Sequence, residues 1–113
     1  MKDVINFISY FQGSEDVFLF GCCYWFAHIL NERFKQEYIT RICHEPIEGH
    51  FVTLFIDSND PSHYMIADIR GDVTNKYKDR ELSCLEDIEE TDITYYRHLM
   101  RDCRDFLPPD DEE

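Results

Sequence analysis

The sequence has no long apolar run and few cations, and these two absences exclude whole classes of protein. A membrane span needs roughly 20 consecutive apolar residues, and no stretch of the 113 residues approaches that length. Lys and Arg number only 11 against 24 Asp and Glu, which gives a formal net charge of −13. Contacts to phosphate need cations. We therefore expect a protein that binds neither membrane nor nucleic acid directly.

Paired cysteine motifs are also missing. The five cysteines are Cys22, Cys23, Cys43, Cys84 and Cys103. Their number is odd, no C-x-x-C occurs, and the N-terminal stretch predicts a folded helix instead of a signal peptide. A disulfide framework is therefore not expected, and a location in the reducing cytoplasm is favoured. Zinc ligation by Cys22, Cys23, Cys43 and His44 is an alternative, but the paired spacing of a structural zinc site is absent, so we predict no metal and no cofactor.

The composition predicts one folded domain. Apolar residues make up 43% of the chain and aromatic residues 15%, which is enough for a single modest core. We predict one domain over residues 1–107 and an acidic, frayed tail over residues 108–113. The charge is uneven, since residues 1–78 carry a net −4 and residues 79–113 a net −9.

Apolar periodicity predicts four helices. They cover residues 2–12, 21–34, 82–90 and 92–107. In the second of these, Phe26, Ala27, Leu30 and Phe34 form a continuous apolar face, so we expect a central, buried helix. Ser83 is the predicted cap of the third helix, and Asp92 or Thr91 that of the fourth.

Strand-like segments separate the second and third helices. They cover residues 38–44, 50–57 and 63–71, and the last two predict an antiparallel hairpin around the turn-forming residues 58–62. The expected register pairs His50 with Asp68, Val52 with Ile66, and Leu54 with Tyr64. The predicted fold class is therefore α+β, with a central helix packed on a small antiparallel sheet and flanked by N- and C-terminal helices.

A thiol, an imidazole and a carboxylate follow one another in an order that suits acyl transfer. Cys23 lies in the first turn of the central helix, where free N–H groups and the helix dipole stabilise a thiolate. His50 begins a strand and Asp68 lies on the next strand, where it can orient the imidazole. We predict a hydrolase site with Cys23 as nucleophile, His50 as general base and Asp68 as orienting acid. The adjacent Cys22 is an alternative nucleophile, although the helical face favours Cys23.

Three short stretches also carry a resemblance. The chain resembles small uncharacterised phage and prophage proteins with a papain-like (NlpC/P60-like) Cys-His-Asp core. The matching pieces are "CYWFAHIL" (23–30), "GHFVTLFID" (49–57) and "YMIADIRGDV" (64–73). This resemblance implies a papain-like fold and the same three roles for Cys23, His50 and Asp68, with host cytoplasm as the location. Papain-like enzymes commonly place a Gln just before the nucleophile, whereas the nearest here is Gln12.

Structural roles remain open for the same residues. Cys23 can be a buried core thiol, and His50 can cap a strand. Asp68 can pair with Arg70 or accept backbone N–H groups in the turn at Gly71. Each of these arrangements would exist without any catalysis.

The acidic C-terminal third supports a second function class. Its carboxylates include Glu86, Asp87, Glu89, Glu90 and Asp92. Such a surface is typical of a solvated face, and it is also compatible with a basic protein partner. The alternative to an enzyme acting on a peptide or protein substrate is therefore a non-catalytic phage protein. It would occupy the nucleic-acid-binding surface of a basic host protein, as an anti-CRISPR protein would.

Overall fold

A computed structural model gives the backbone of residues 1–11 and 23–104 and the side chains of residues 1–11 and 23–101. Five helices and five strands lie within these ranges. In chain order they are α1 (Lys2–Ser9), α2 (Cys23–Phe34), β1 (Ile39–Glu45), β2 (His50–Asp57), β3 (Asp60–Asp68), β4 (Gly71–Asp72), α3 (Thr74–Tyr77), β5 (Ser83–Cys84), α4 (Leu85–Thr91) and α5 (Ile93–Arg104).

The strands form one antiparallel sheet in the order β4-β3-β2-β1-β5. The α+β class with a small antiparallel sheet is thus confirmed. Three strands were predicted and five are described. The two additional strands, β4 and β5, have two residues each, and so short a segment leaves no period-2 alternation in a sequence.

The two faces of the sheet are covered differently. Phe55, Met65 and Ala67 project towards α1 and α2 and form one buried cluster with them. Because side chains alternate along a strand, Val52 and Ile66 project to the opposite face. There they pack against Tyr77 of α3, whose side chain is fully buried.

The central helix is α2, as the apolar periodicity predicts. Its four predicted core residues are all buried. Arg33 stacks its guanidinium on the ring of Phe34, 4.6 Å from the centroid, at the end of the helix. Beside its N-terminal half, Ala27 and Phe51 form a second cluster with α4, which α5 joins through partly buried side chains. The predicted packing of the central helix against the hairpin, with the C-terminal helix nearby, is confirmed.

Several predicted helix boundaries are wrong. The first helix ends at Ser9, not at residue 12. Ser83 is not a helix cap, because residues 83–84 pair with β1 as β5 and α4 begins only at Leu85. For the last helix, Asp92 is the cap, since its carboxylate accepts the backbone N–H of Tyr95 at 3.1 Å.

The hairpin register is shifted by two residues from the predicted one. Leu54 lies opposite Ile66 and Ile56 opposite Tyr64. The turn at residues 58–59 pairs Asp57 with Asp60, but the next pair is Ile56 with Tyr64. Residues 61–63 of β3 are therefore left without a partner at this irregularity, and these three extra residues set the observed register. A shift of one residue would have turned side chains to the other face, whereas a shift of two keeps them on the same face. The predicted strand over 63–71 is divided in the structure between β3, which ends at Asp68, and β4, which begins at Gly71.

Some predictions fall outside the described residues. These concern Gln12, Gly21 and Cys22, the side chain of Cys103, and the tail over 108–113. Among the helices that are described, none is long and apolar enough to cross a membrane.

Candidate active site

The turn between β1 and β2 fixes the position of His50. Gly49, which precedes it, has φ +64°, a conformation that glycine adopts without the strain a side chain would bring. The carboxylate of Glu45 is fully buried beneath the turn. It accepts the backbone N–H groups of Ile47 at 2.8 Å and Glu48 at 2.9 Å. The local sequence therefore determines where the strand, and with it the imidazole, begins.

His50 and Asp68 form a buried pair. The imidazole Nε2 lies 2.9 Å from Oδ2 of Asp68, and the two residues are 5% and 4% exposed. The predicted contact is present although the predicted register is wrong, because the two-residue shift leaves both side chains on one face of the sheet. With Nε2 bound to the carboxylate, Nδ1 is the ring nitrogen that remains for another partner.

Cys23 is that partner. It is the first residue of α2, is partly buried, and is a free thiol. Its sulfur interacts with the imidazole of His50 and with the backbone N–H groups of Phe51 and Tyr24. The N-terminal end of the helix thus meets the first residues of β2. The structure brings together all three predicted site residues.

The ionisation of the thiol and the imidazole is coupled. Burial by itself would raise the pKa of Cys23, but the interaction with His50 and the backbone N–H of Phe51 outweigh it, so the pKa is lowered. Burial would lower the pKa of His50, but Asp68 and Cys23 raise it to about 9. Both shifts favour a thiolate beside an imidazolium, the reactive form of a cysteine nucleophile.

Asp68 has a second partner, Arg70. Burial would raise the pKa of Asp68, but His50 and Arg70 lower it to about 2. The backbone N–H of Arg70 donates to Oδ1 at 2.8 Å, and its guanidinium binds both carboxylate oxygens. The two alternatives that the sequence left open for Asp68, orienting a histidine and pairing with Arg70, are both realised at once.

Beyond Arg70 lies a polar network that the sequence did not predict. Tyr77 accepts a hydrogen bond from Arg70 at 3.1 Å and donates one to Glu48 at 2.9 Å, and its ring stacks on His50 with centroids 6.0 Å apart. Arg80 in turn donates to Glu48 at 2.8 Å. Tyr77 lies in α3, a four-residue helix too short to leave an apolar period. No residue-spacing signal could have placed it under the imidazole.

A groove opens beside the N-terminal end of α2. It has a volume of about 510 Å³ and runs between α2 and α5. Its described lining residues are Tyr24, Trp25, Tyr96, Arg97, His98, Met100 and Arg101. Tyr24 follows Cys23 directly and packs on Phe51, next to His50. The groove thus shares Tyr24 with the surroundings of the site, and its described lining does not include Cys23, His50 or Asp68.

The acidic residues proposed for partner binding lie on and beside α4. Leu85 and Ile88 face the core. The side chains on the other face, Glu86, Asp87, Glu89 and Glu90, are exposed. Asp92 is also exposed, but its carboxylate caps α5.

Two other histidines, His44 and His28, pack against aromatic rings. His44 stacks with Phe51 at 4.9 Å and with Tyr95 at 6.2 Å between ring centroids, and burial lowers its pKa. His28 stacks with Tyr24. No group of three or more His, Cys, Asp or Glu in the described part of the chain is arranged to hold a metal ion.

Comparison of the chain with protein-family models, with curated proteins and with solved structures found no match.

Proposed function

We propose that this protein is a papain-like thiol hydrolase that cleaves an amide or peptide-type bond. Cys23 is the nucleophile, His50 the general base and acid, and Asp68 the group that orients the imidazole. One observation carries the proposal: the buried imidazole of His50 lies between the Asp68 carboxylate, at 2.9 Å, and the Cys23 thiol. The resemblance of three sequence stretches to phage proteins with a papain-like core is consistent with it.

The chemistry follows from the ionisation of the pair. The Cys23 thiolate attacks the substrate carbonyl carbon, and the imidazolium of His50 gives its proton to the leaving amine. A thioester on Cys23 remains. His50, now neutral, takes a proton from water, which attacks the thioester and releases the acid and the thiol. The backbone N–H groups of Tyr24 and Phe51, which face the sulfur, are the donors available to the oxyanion.

Arg70 controls the ionisation and the position of the Asp68 carboxylate in the proposed site. Because it binds Asp68, the carboxylate stays ionised and fixed in place across the neutral range. Asp68 orients the ring and, together with Cys23, raises the pKa of His50. We therefore assign Asp68 and Arg70 to positioning.

A second candidate function is binding of a basic host protein by the acidic face of α4. The observation in its favour is the exposure of Glu86, Asp87, Glu89 and Glu90 together on one short helix. Charge reversal on α4 would then weaken partner binding, mainly through the association rate. Replacement of Cys23 would leave that binding intact.

Trapping the acyl-enzyme tests the hydrolase directly. p-Nitrophenyl acetate, an activated ester that needs no substrate-specific contacts, is mixed with the protein, and nitrophenolate release is followed together with intact mass. We expect a burst of nitrophenolate, one acetyl group on Cys23, and subsequent turnover. Cys23→Ala should lose both the burst and the turnover while keeping the melting temperature.

Cys84→Ala is the matched control, because Cys84 is also a partly buried free thiol, but its sulfur contacts the thiol of Cys43 instead of a histidine. This variant should retain full turnover. Acetylation of Cys84 in place of Cys23, or turnover that survives Cys23→Ala, would reject the hydrolase.

A further inference from the structure

A second pair of reactive groups lies away from the site, where β1 meets β5. Cys43 and Cys84 are directly paired across these two antiparallel strands. Their sulfur atoms are 3.8 Å apart, and both thiols are free. The separation is that of a thiol–thiol contact, well beyond an S–S bond of about 2.05 Å.

The backbone already meets the demands of a bond between them. Directly opposed residues of antiparallel strands have Cα atoms about 4.5–5.5 Å apart, inside the range of roughly 4.4–6.8 Å found in disulfides. Rotation of the two side chains can therefore close the gap without moving the strands apart or together. We propose that Cys43 and Cys84 form a reversible disulfide, with a small-molecule disulfide such as oxidised glutathione as the oxidant.

The two thiols have different accessibility, which assigns their roles. Cys84 is partly exposed, whereas Cys43 is 1% exposed. Only Cys84 is open to a reagent in solution, so it is the attacking thiol. Cys43 is the resolving thiol. Burial and the neighbouring Cys84 raise its pKa, so Cys43 stays protonated and does not itself attack reagents in solution.

The reaction balances in two exchanges. The Cys84 thiolate attacks one sulfur of oxidised glutathione, forms a mixed disulfide, and releases one glutathione thiolate. Cys43 then loses its proton and attacks the Cys84 sulfur, which forms the Cys43–Cys84 bond and releases the second glutathione. Two protein thiols are oxidised by two electrons, and one small-molecule disulfide is reduced to two thiols.

The disulfide would link the start of the acidic helix α4 covalently to the sheet. β5 has only two residues, and α4 begins directly after Cys84. In the reduced state, this short strand and the packing of α4 and α5 hold that segment in place. A disulfide would tie the start of α4 covalently to β1, closing a loop between positions 41 residues apart. Disulfides are rare in reducing compartments, and those that do form there are usually transient.

Peptide mapping after oxidation tests the pairing. The reduced protein is equilibrated in a buffer of reduced and oxidised glutathione, alkylated under denaturing conditions and digested with trypsin. Cleavage at arginine places Cys43 in peptide 42–70 and Cys84 in peptide 81–97. We expect these two peptides joined by one disulfide, and a melting temperature higher by roughly 10 °C in the oxidised form.

Two variants keep the test sharp. Cys23→Ala should still give the joined peptides, which separates this pair from the thiol of the proposed active site. In Cys43→Ser, Cys84 should stop at the mixed disulfide with glutathione. The proposal is overturned if the unaltered protein also stops at that mixed disulfide, or if Cys84 pairs with any cysteine other than Cys43.

Discussion

Cys23 is partly buried and Cys43 almost fully buried, yet their pKa values move in opposite directions. Burial alone would raise the pKa of both thiols. Beside Cys23 the imidazole of His50 reverses that effect, whereas beside Cys43 the second thiol of Cys84 adds to it. A neighbouring cation favours the thiolate and a neighbouring acid disfavours it. The comparison teaches that the partner, more than burial, distinguishes a nucleophilic cysteine from an inert or redox-active one.

Removing the imidazole of His50 should abolish the difference in pKa direction between Cys23 and Cys43. Of the variants considered, this one should have the largest effect on turnover. In His50→Ala, hydrolysis of p-nitrophenyl acetate should fall by about 10³-fold or more, because both the thiolate and the base for deacylation are lost. Circular dichroism checks that the fold is retained. The matched variant is His28→Ala on the same helix as Cys23, where turnover should change less than about threefold, since His28 packs against the rings of Tyr24 and Trp25.

Removing Arg70 should lower the free energy of unfolding more than it lowers turnover. Arg70→Met leaves the Asp68 carboxylate, 4% exposed, with His50 as its remaining ionic partner. We expect a loss of about 2 kcal/mol in the free energy of unfolding, measured by urea denaturation at neutral pH. Arg33→Met, which removes an exposed ion pair with Glu37, should cost less than about 1 kcal/mol. Equal losses in the two variants would show that the Arg70–Asp68 pair adds no more stability than an exposed ion pair.

The same pair should give stability a defined pH dependence. The folded-state pKa of Asp68 is about 2, below the value of about 3.9 for an unfolded aspartate. Its contribution is therefore fully present above about pH 4 and is lost as the pH falls through 2. The difference in unfolding free energy between wild type and Asp68→Asn should shrink by about 2 kcal/mol between pH 5 and pH 2. A difference that stays constant over this range would contradict the assignment.

The smallest effect is expected on the acidic face. Reversal of charge in Glu86→Lys together with Glu89→Lys should change turnover less than about twofold at 0.1 M salt, where the Debye length is about 10 Å. Both side chains are exposed on α4. If the protein instead binds a basic partner, this double variant should lose binding while Cys23→Ala keeps it. A large loss of turnover on charge reversal would show that the two regions are not separate.

Long, strongly periodic elements were predictable from the sequence. The core residues of α2 follow from spacing alone, because Phe26, Leu30 and Phe34 repeat at helical intervals. The contact between His50 and Asp68 was also predictable, since a register error of two residues preserves the face of the sheet. The prediction of the triad therefore survived the error in register. An error of an odd number of residues would have placed His50 and Asp68 on opposite faces of the sheet.

What escaped prediction depends on short or distant elements. β5 and α3 have two and four residues, too few to show a period. They nevertheless place Cys84 next to Cys43, 41 residues away in the sequence, and Tyr77 next to His50, 27 residues away. Such contacts depend on how the whole chain closes on itself. No local pattern of residue types encodes them.

The pH dependence of alkylation, followed separately for each cysteine, tests the central claim most directly. Iodoacetamide is added in limiting amounts at several pH values, and labelling is located by peptide mass spectrometry. We predict that Cys23 is labelled first. Its rate should rise at a pH below the usual cysteine value of about 8.5 and change again near pH 9, where His50 loses its proton, and both features should vanish in His50→Ala. Faster labelling of Cys22 or Cys84, or a Cys23 profile that is the same with and without His50, would contradict the account.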